Sequence, residues 1–126
     1  RGQPRSYPAP PMVRANEWAP VGDWVLGDDS AVLQRAQGRI VYGFHARDLH
    51  IVMGPAPGTS AVRFRVLIDG KPPGAAHGVD VDERGFGTVT SPRMYQLIRQ
   101  PDAIRDRRFE VESIDPGVEV YSFTFG

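Results

Sequence analysis

Apolar and polar residues alternate with a period of two along most of this chain. The cleanest run is residues 61–68, where Val62, Phe64, Val66 and Ile68 interleave with Arg63, Arg65 and Leu67. Successive strand side chains point to opposite faces, so this run predicts a strand with one face in a core. Residues 39–46 repeat the pattern, with Ile40, Tyr42, Phe44 and Ala46 set against Arg39, Val41, Gly43 and His45. Shorter runs at 24–26, 31–34, 49–53, 87–90 and 94–98 predict further strands. Gly27-Asp28-Asp29 and Gly54-Pro55-Ala56-Pro57-Gly58 punctuate them as turns. Residues 109–114 and 118–125 flank Asp115-Pro116-Gly117, which predicts a closing hairpin. Residues 101–107 are polar, and a single helical turn is expected there. No window carries the 3.6-residue period of a long amphipathic helix.

About eight or nine short antiparallel strands of this kind predict an all-β fold, a β-sandwich or jelly roll. In the last strand, strict alternation puts Tyr121, Phe123 and Phe125 on one face and Val118, Val120, Ser122 and Thr124 on the other. Apolar residues on both faces make that strand central. Pro4, Pro8, Pro10 and Pro11 mark residues 1–11 as an extended Pro-rich linker or arm, and residues 12–126 as the folded domain. The start at Arg1 reads as a linker entering a domain cut from a longer protein.

Composition narrows the function classes. The 126 residues are one domain by length. Lys and Arg number 15, as do Asp and Glu, so the net charge is zero. A nucleic-acid or anionic-membrane surface would need a basic excess, so neither partner is expected. The chain has no cysteine, which excludes a disulfide framework, a thiol nucleophile and a Cys-zinc site. No apolar run approaches the roughly 20 residues that cross a bilayer.

Several pieces, ordered along residues 12–126, carry a family resemblance. They include Glu17-Trp18-Ala19, Gly22-Asp23-Trp24, Phe44-His45-Ala46-Arg47-Asp48 and Val62-Arg63-Phe64-Arg65-Val66. They continue through Asp69-Gly70-Lys71-Pro72-Pro73-Gly74, His77-Gly78-Val79-Asp80-Val81-Asp82, Met94-Tyr95-Gln96-Leu97, Phe109-Glu110-Val111 and Tyr121-Ser122-Phe123-Thr124-Phe125-Gly126. In this set the chain resembles the C-terminal domain of DipZ-type proteins, bacterial envelope proteins that fuse a CcdA-like membrane module, a thioredoxin-like domain and a C-terminal β domain. The resemblance implies a carbohydrate-binding-module-like jelly roll, a periplasmic or other extracytoplasmic setting and a membrane-anchored parent of cytochrome c biogenesis or thiol–disulfide type. Redox activity in that family belongs to paired cysteines of the thioredoxin-like domain, so none is carried onto this chain.

The candidate sites fall in two groups. His77, Asp80 and Asp82 crowd a loop rich in Gly and Pro. They suit a domain-docking or loop-holding role, or Ca2+ as a lesser alternative. Counted from Asp80, however, the third ligand position of a calcium loop is Arg84 and the closing acid position is Ser91. No metal or other cofactor is therefore expected, and the acids are read as turn caps or partners of Arg84, Arg93 or Arg99. The ligand-binding candidates are Trp18, His45, Arg47, Arg93 and Tyr95. Trp18 offers a face for the apolar side of a sugar ring, while Trp24 is read as core. His45, Arg47 and Arg39 share the outer side of their strand. No catalytic residue is expected: Ser91, His77 and Asp80 are the nearest set to a triad, and Ser91 precedes Pro92 without a nucleophile-elbow pattern. The reading is a non-catalytic accessory domain, binding envelope carbohydrate or acting as a scaffold that docks its own thioredoxin-like domain or mediates oligomerisation. An exposed aromatic in a groove with polar neighbours favours the first. A flat apolar patch favours the second.

Overall fold

A computed structural model of the chain describes residues 2–10, 13–14 and 17–126. The elements are β1 (Pro4–Tyr7), β2 (Trp18–Leu26), β3 (Ala31–Leu33), β4 (Arg39–Phe44), β5 (Asp48–Pro55), β6 (Val62–Ile68), β7 (Phe86–Val89), β8 (Arg93–Arg99), β9 (Arg107–Ser113) and β10 (Val118–Phe125), with one 3-10 turn at Gly74–Ala76. All pairings are antiparallel, and the strands run in the order β7-β6-β9-β4-β2-β3-β10-β5-β8, with β1 added to β2. Strand β2 closes the curl by serving both halves. Its first half pairs with β4, and its second half pairs with β1 and β3. The change falls at Gly22, whose φ of +102° lies where a β-carbon is strained. The result is the expected all-β, β-sandwich/jelly-roll-like architecture. Among the described residues no helix is long and apolar enough to cross a membrane.

The core lies between the two halves. Ile40, Tyr42 and Phe44 of β4, Val62, Phe64, Val66 and Ile68 of β6, and Phe109 and Val111 of β9 face Leu49, Ile51 and Met53 of β5, Tyr95 and Leu97 of β8, and Val118 and Val120 of β10. Phe44 meets Phe109 edge-on at 6.3 Å between centroids. Each such side chain contributes about 1.5–3 kcal/mol on burial. Strand β6 follows its sequence pattern, with the four even-numbered apolar residues buried and Arg63 exposed.

Four expectations are corrected. The linker expected over 1–11 contains β1, whose residues pair with Gly22–Val25; Arg1, Pro11 and the expected domain start at residue 12 lie outside the described residues. Strands β9 and β10 do not form a hairpin. β9 pairs with β4 and β6, and β10 with β3 and β5. Asp115-Pro116-Gly117 is instead a corner between sheets. Arg63 donates its N–H and both prongs of its guanidinium to Asp115, and Gly117 N–H donates to the Leu33 carbonyl. Turn chemistry dictated the reversal but not which strand the chain would meet. The polar segment 101–106 forms no helical turn. Finally, the β10–β5 register slips between Val120 and Ser122. This bulge brings Phe123 and Phe125 to the side of Val118 and Val120, where both rings touch Tyr42.

Candidate functional site

The loop between β6 and β7 spends its polar groups on bracing itself and tying itself to β8. Asp80 accepts the Arg93 guanidinium at 2.9 Å and the Gln96 N–H at 2.7 Å. Burial alone would raise its carboxyl, but these hydrogen bonds and the Arg93 charge outweigh burial and hold it below the usual carboxylate range. Asp82 accepts the N–H groups of Arg84 and Phe86, one oxygen bracing both sides of the turn. His77 Nδ1 faces the carbonyls of Gly78 and Val81 at 3.0 and 2.8 Å. Both are acceptors, so Nδ1 carries the proton. Among the described residues no three of His, Asp and Glu gather as a metal ion would need.

The predicted ligand residues are scattered. His45 pairs with Asp106 at 2.8 Å on an exposed rim, and Arg47 forks onto Asp48. Arg93 lies over the Tyr95 ring at 3.8 Å. Tyr95 itself is 1 % exposed. Its hydroxyl donates to the Ser91 carbonyl and accepts N–H groups of Thr90 and Ser91. Tyr95 is thus a core ring rather than an open ligand contact: its parity on β8 turns the ring inward, and its hydroxyl is consumed by the adjacent turn. His45, Arg47 and Arg93 do not converge on Trp18.

Trp18 stands in a different company. It is 46 % exposed and sits opposite Tyr42 in the β2–β4 ladder. Its ring lies 6.5 Å from Phe123, and Tyr42 is flanked by Phe123 at 4.9 Å and Phe125 at 5.1 Å. This row of rings forms one open corner of the sandwich. Beside it is a cleft of about 220 Å³, bounded by Trp18, Ile40, Val120 and Tyr121 on one side and the Gly27–Asp28–Asp29–Ser30 turn on the other. Ser30 Oγ donates to Glu119 at 2.7 Å. Partial desolvation and a hydrogen bond to the same Glu119 push the Tyr121 hydroxyl above its ordinary range. Glu119 thus ties the Tyr121 wall to the turn facing it. The corner offers half-exposed rings next to carboxylates, a pairing that suits groups with one apolar face and a rim of hydroxyls. Sequence reasoning selected Trp18 but missed Tyr121, Asp28, Asp29 and Ser30. The turn was legible only as a stop between strands, and Tyr121 was placed on one face with Phe123 and Phe125 because alternation gives no sign of a bulge.

Fold and site together define a jelly-roll-like β domain with an aromatic corner and no cysteine. The family model described as the thioredoxin like C-terminal domain matches residues 1–126, and the chain belongs to that family. It is 27 % identical over 117 residues to Protein DipZ of Mycobacterium bovis, and equally to Protein DipZ of Mycobacterium tuberculosis. That match covers 93 % of this chain but 14 % of each relative, so the chain spans only a small part of their length. Among solved structures, a family two carbohydrate esterase from Clostridium thermocellum in complex with cellohexaose is similar with a TM-score of 0.62 and 12 % identity, over 82 % of this chain and 29 % of that one. A family two carbohydrate esterase from Cellvibrio japonicus gives 0.60 and 14 %, over 84 % and 29 %. At these identities the likeness is one of fold.

Proposed function

We propose that this is a non-catalytic accessory domain of an extracytoplasmic, membrane-anchored thioredoxin-fusion protein, and that it binds a neutral envelope glycan at the aromatic corner. The observation carrying this reading is the half-exposed Trp18 ring at the wall of a cleft whose opposite wall presents Asp28, Asp29 and Ser30. Ring faces take the C–H side of a pyranose, and carboxylates accept its hydroxyls. The acidic turn also disfavours an anionic sugar in this cleft. Family membership supports an accessory role in a larger parent.

The test is intrinsic fluorescence of the 126-residue chain titrated with cellohexaose and a panel of neutral envelope oligosaccharides. Trp24 is 1 % exposed, so a ligand-induced change reports Trp18. A saturable shift that disappears in Trp18→Ala is expected. No response from any sugar in the panel defeats the reading.

A scaffold reading has one observation of its own. Val79 is 79 % exposed at the tip of the braced Asp80 loop. A rigid apolar tip suits contact with the thioredoxin-like domain of the same protein or with a second copy. Loss of that contact in Val79→Asp, read as a chemical-shift change in a two-domain fragment, is the expected result under this alternative.

A further inference from the structure

A second cleft lies in another place, between the β6–β7 connection and the segment joining β8 to β9. It measures about 420 Å³, within the range of small-ligand sites. Its apolar surface comes from Ile68, Pro72, Pro73, Ala75, Ala76 and Pro101, and its polar groups are Asp69, Lys71, Gln100, Asp102, Arg105 and Arg107. There is no aromatic ring in the lining, so sugar stacking of the kind argued for Trp18 has no counterpart here.

What the cleft has is a held guanidinium. Arg107 Nε donates to Asp69 at 2.6 Å, and Arg107 Nη1 donates to Gln100 Oε1 at 2.9 Å. Gln100 is buried, and its Nε2 is fixed on the Ala46 carbonyl at 2.7 Å. Asp69 is fixed in turn. It also accepts the Arg108 N–H at 2.9 Å, and its backbone has a φ of +51°, in the left-handed region that a non-glycine residue rarely occupies. Asp69-Gly70 is the two-residue turn closed by the Ile68–Lys71 pair, a conformation that Asp-Gly adopts readily, so the carboxylate is held in place by the hairpin itself. Arg107 Nη2 makes no hydrogen bond to any described residue, and neither does the Lys71 ammonium. The cleft therefore holds a pre-oriented fork with donors to spare, a second cation at Lys71 and a third at Arg105.

We propose that this cleft binds a hydroxylated monocarboxylate, the uronic acid residue of an acidic glycan. Arg107 and Lys71 take the carboxylate, since guanidinium and carboxylate match as planar donors and acceptors. Asp102, exposed at the rim with no partner among the described residues, accepts ring hydroxyls. With Asp69 spent on Arg107, the remaining charge suits one negative charge rather than two. A peptide C-terminus would satisfy the cations but would leave Asp102 facing no hydroxyl. The site is independent of the Trp18 cleft, and the neutral-glycan reading can fail without affecting it.

The experiment is calorimetric and amide-NMR titration of the 126-residue chain with sodium D-glucuronate, with D-glucose and N-acetyl-dialanine as parallel arms. Saturable glucuronate binding is expected, with shifts concentrated at Lys71, Gln100, Arg105 and Arg107 and none of comparable size from glucose. Lys71→Gln, an exposed position outside the core, should weaken glucuronate about 3- to 10-fold, and Arg107→Lys, which keeps the charge but loses the fork, at least about 10-fold. No saturable shift in the cleft, or unchanged affinity in Lys71→Gln, overturns the proposal. Glucose binding equal to glucuronate overturns the carboxylate assignment, and N-acetyl-dialanine binding as tightly overturns the sugar acid in favour of a peptide terminus. Should Arg107→Lys unfold, Lys71→Gln alone decides.

Discussion

The Asp80 loop and the Trp18 corner are opposites in how they use polar and apolar groups. In the loop, Asp80, Asp82 and His77 each have two protein partners, and the side chains come from neighbouring positions in the chain. In the corner, rings from β2 and β10 meet the buried Tyr42 of β4 across long sequence distances, and Trp18 and Phe125 stay open to solvent. A polar cluster whose hydrogen bonds are all made within the fold has its interactions already committed to holding that fold. Half-exposed rings beside a cleft hold interaction capacity in reserve. The contrast assigns shape-holding to the loop and contact-making to the corner, and the two can be separated by substitution.

The largest effect is expected inside the loop. Gly85 has a φ of +93°, and a β-carbon there would press on the Val66 carbonyl oxygen. Its own carbonyl accepts the Val66 N–H at 2.8 Å, tying the loop to β6. Gly85→Ala should cost about 3 kcal/mol, combining left-handed strain with a backbone clash, as a lowered urea midpoint. A variant as stable as the parent would show that the loop is loosely held and weaken the comparison at its root.

Asp80→Ala comes next. It removes the acceptor of both the Gln96 N–H and the Arg93 guanidinium, and because water can reach both donors the loss should be about 1 kcal/mol. The carboxyl is held below its usual range in the folded state. Its stabilisation is therefore present above the ordinary carboxylate range and lost as pH falls through the depressed folded value. The gap between parent and variant should narrow on acidification. Glycan affinity at the Trp18 corner should not change; if it falls with stability intact, the division between the two regions is wrong.

Trp18→Ala reverses that profile. The ring is nearly half exposed, so the loss of stability should stay below about 1 kcal/mol while the fluorescence response to glycan disappears. A large drop in stability would make Trp18 a structural ring, and the corner would join the loop as architecture.

The sequence carried these regions unequally, for physical reasons. Strand β6 was legible because its exposed Arg63 and buried Val62 and Phe64 report a half-buried strand directly. The loop was legible as a polar cluster because His77, Asp80 and Asp82 are close in sequence, although proximity alone suggested docking or calcium. The corner was not legible as a site. The bulge between Val120 and Ser122 reverses the parity that places Phe123 and Phe125, and no residue type there announces it. Tyr95 stayed open between core ring and ligand contact for a related reason: whether an aromatic in a strand faces in or out depends on a register that one sequence leaves open. Asp115-Pro116-Gly117 announced a turn, but the partner of each flanking strand is chosen by long-range packing. Only Trp18 crossed this gap, since a tryptophan next to Pro20 stands where the strand meets the open end of the sandwich.

The smallest effect concerns Asp115, which resembles Asp80 in its donors but not in its setting. It accepts the Arg63 N–H at 3.0 Å and the guanidinium at 2.9 and 2.7 Å, and the Arg63 side-chain and backbone hydrogen bonds lower its pKa to about 2. Water screens so exposed a pair, which limits what the clamp adds at neutral pH. The sign is still determined. A depressed folded value means that the contribution is complete above about pH 4, where the unfolded carboxyl is ionised, and fades as pH falls towards 2. Asp115→Asn should lower the urea midpoint slightly at pH 7, and the two proteins should converge by about pH 2. High salt should shrink the difference at Asp115 more than that at Asp80, whose carboxylate is further from solvent. Equal salt sensitivity at both positions would mean that the Asp80 loop is as open to water as the inter-sheet corner. Its hydrogen bonds would then no longer set it apart from the surface.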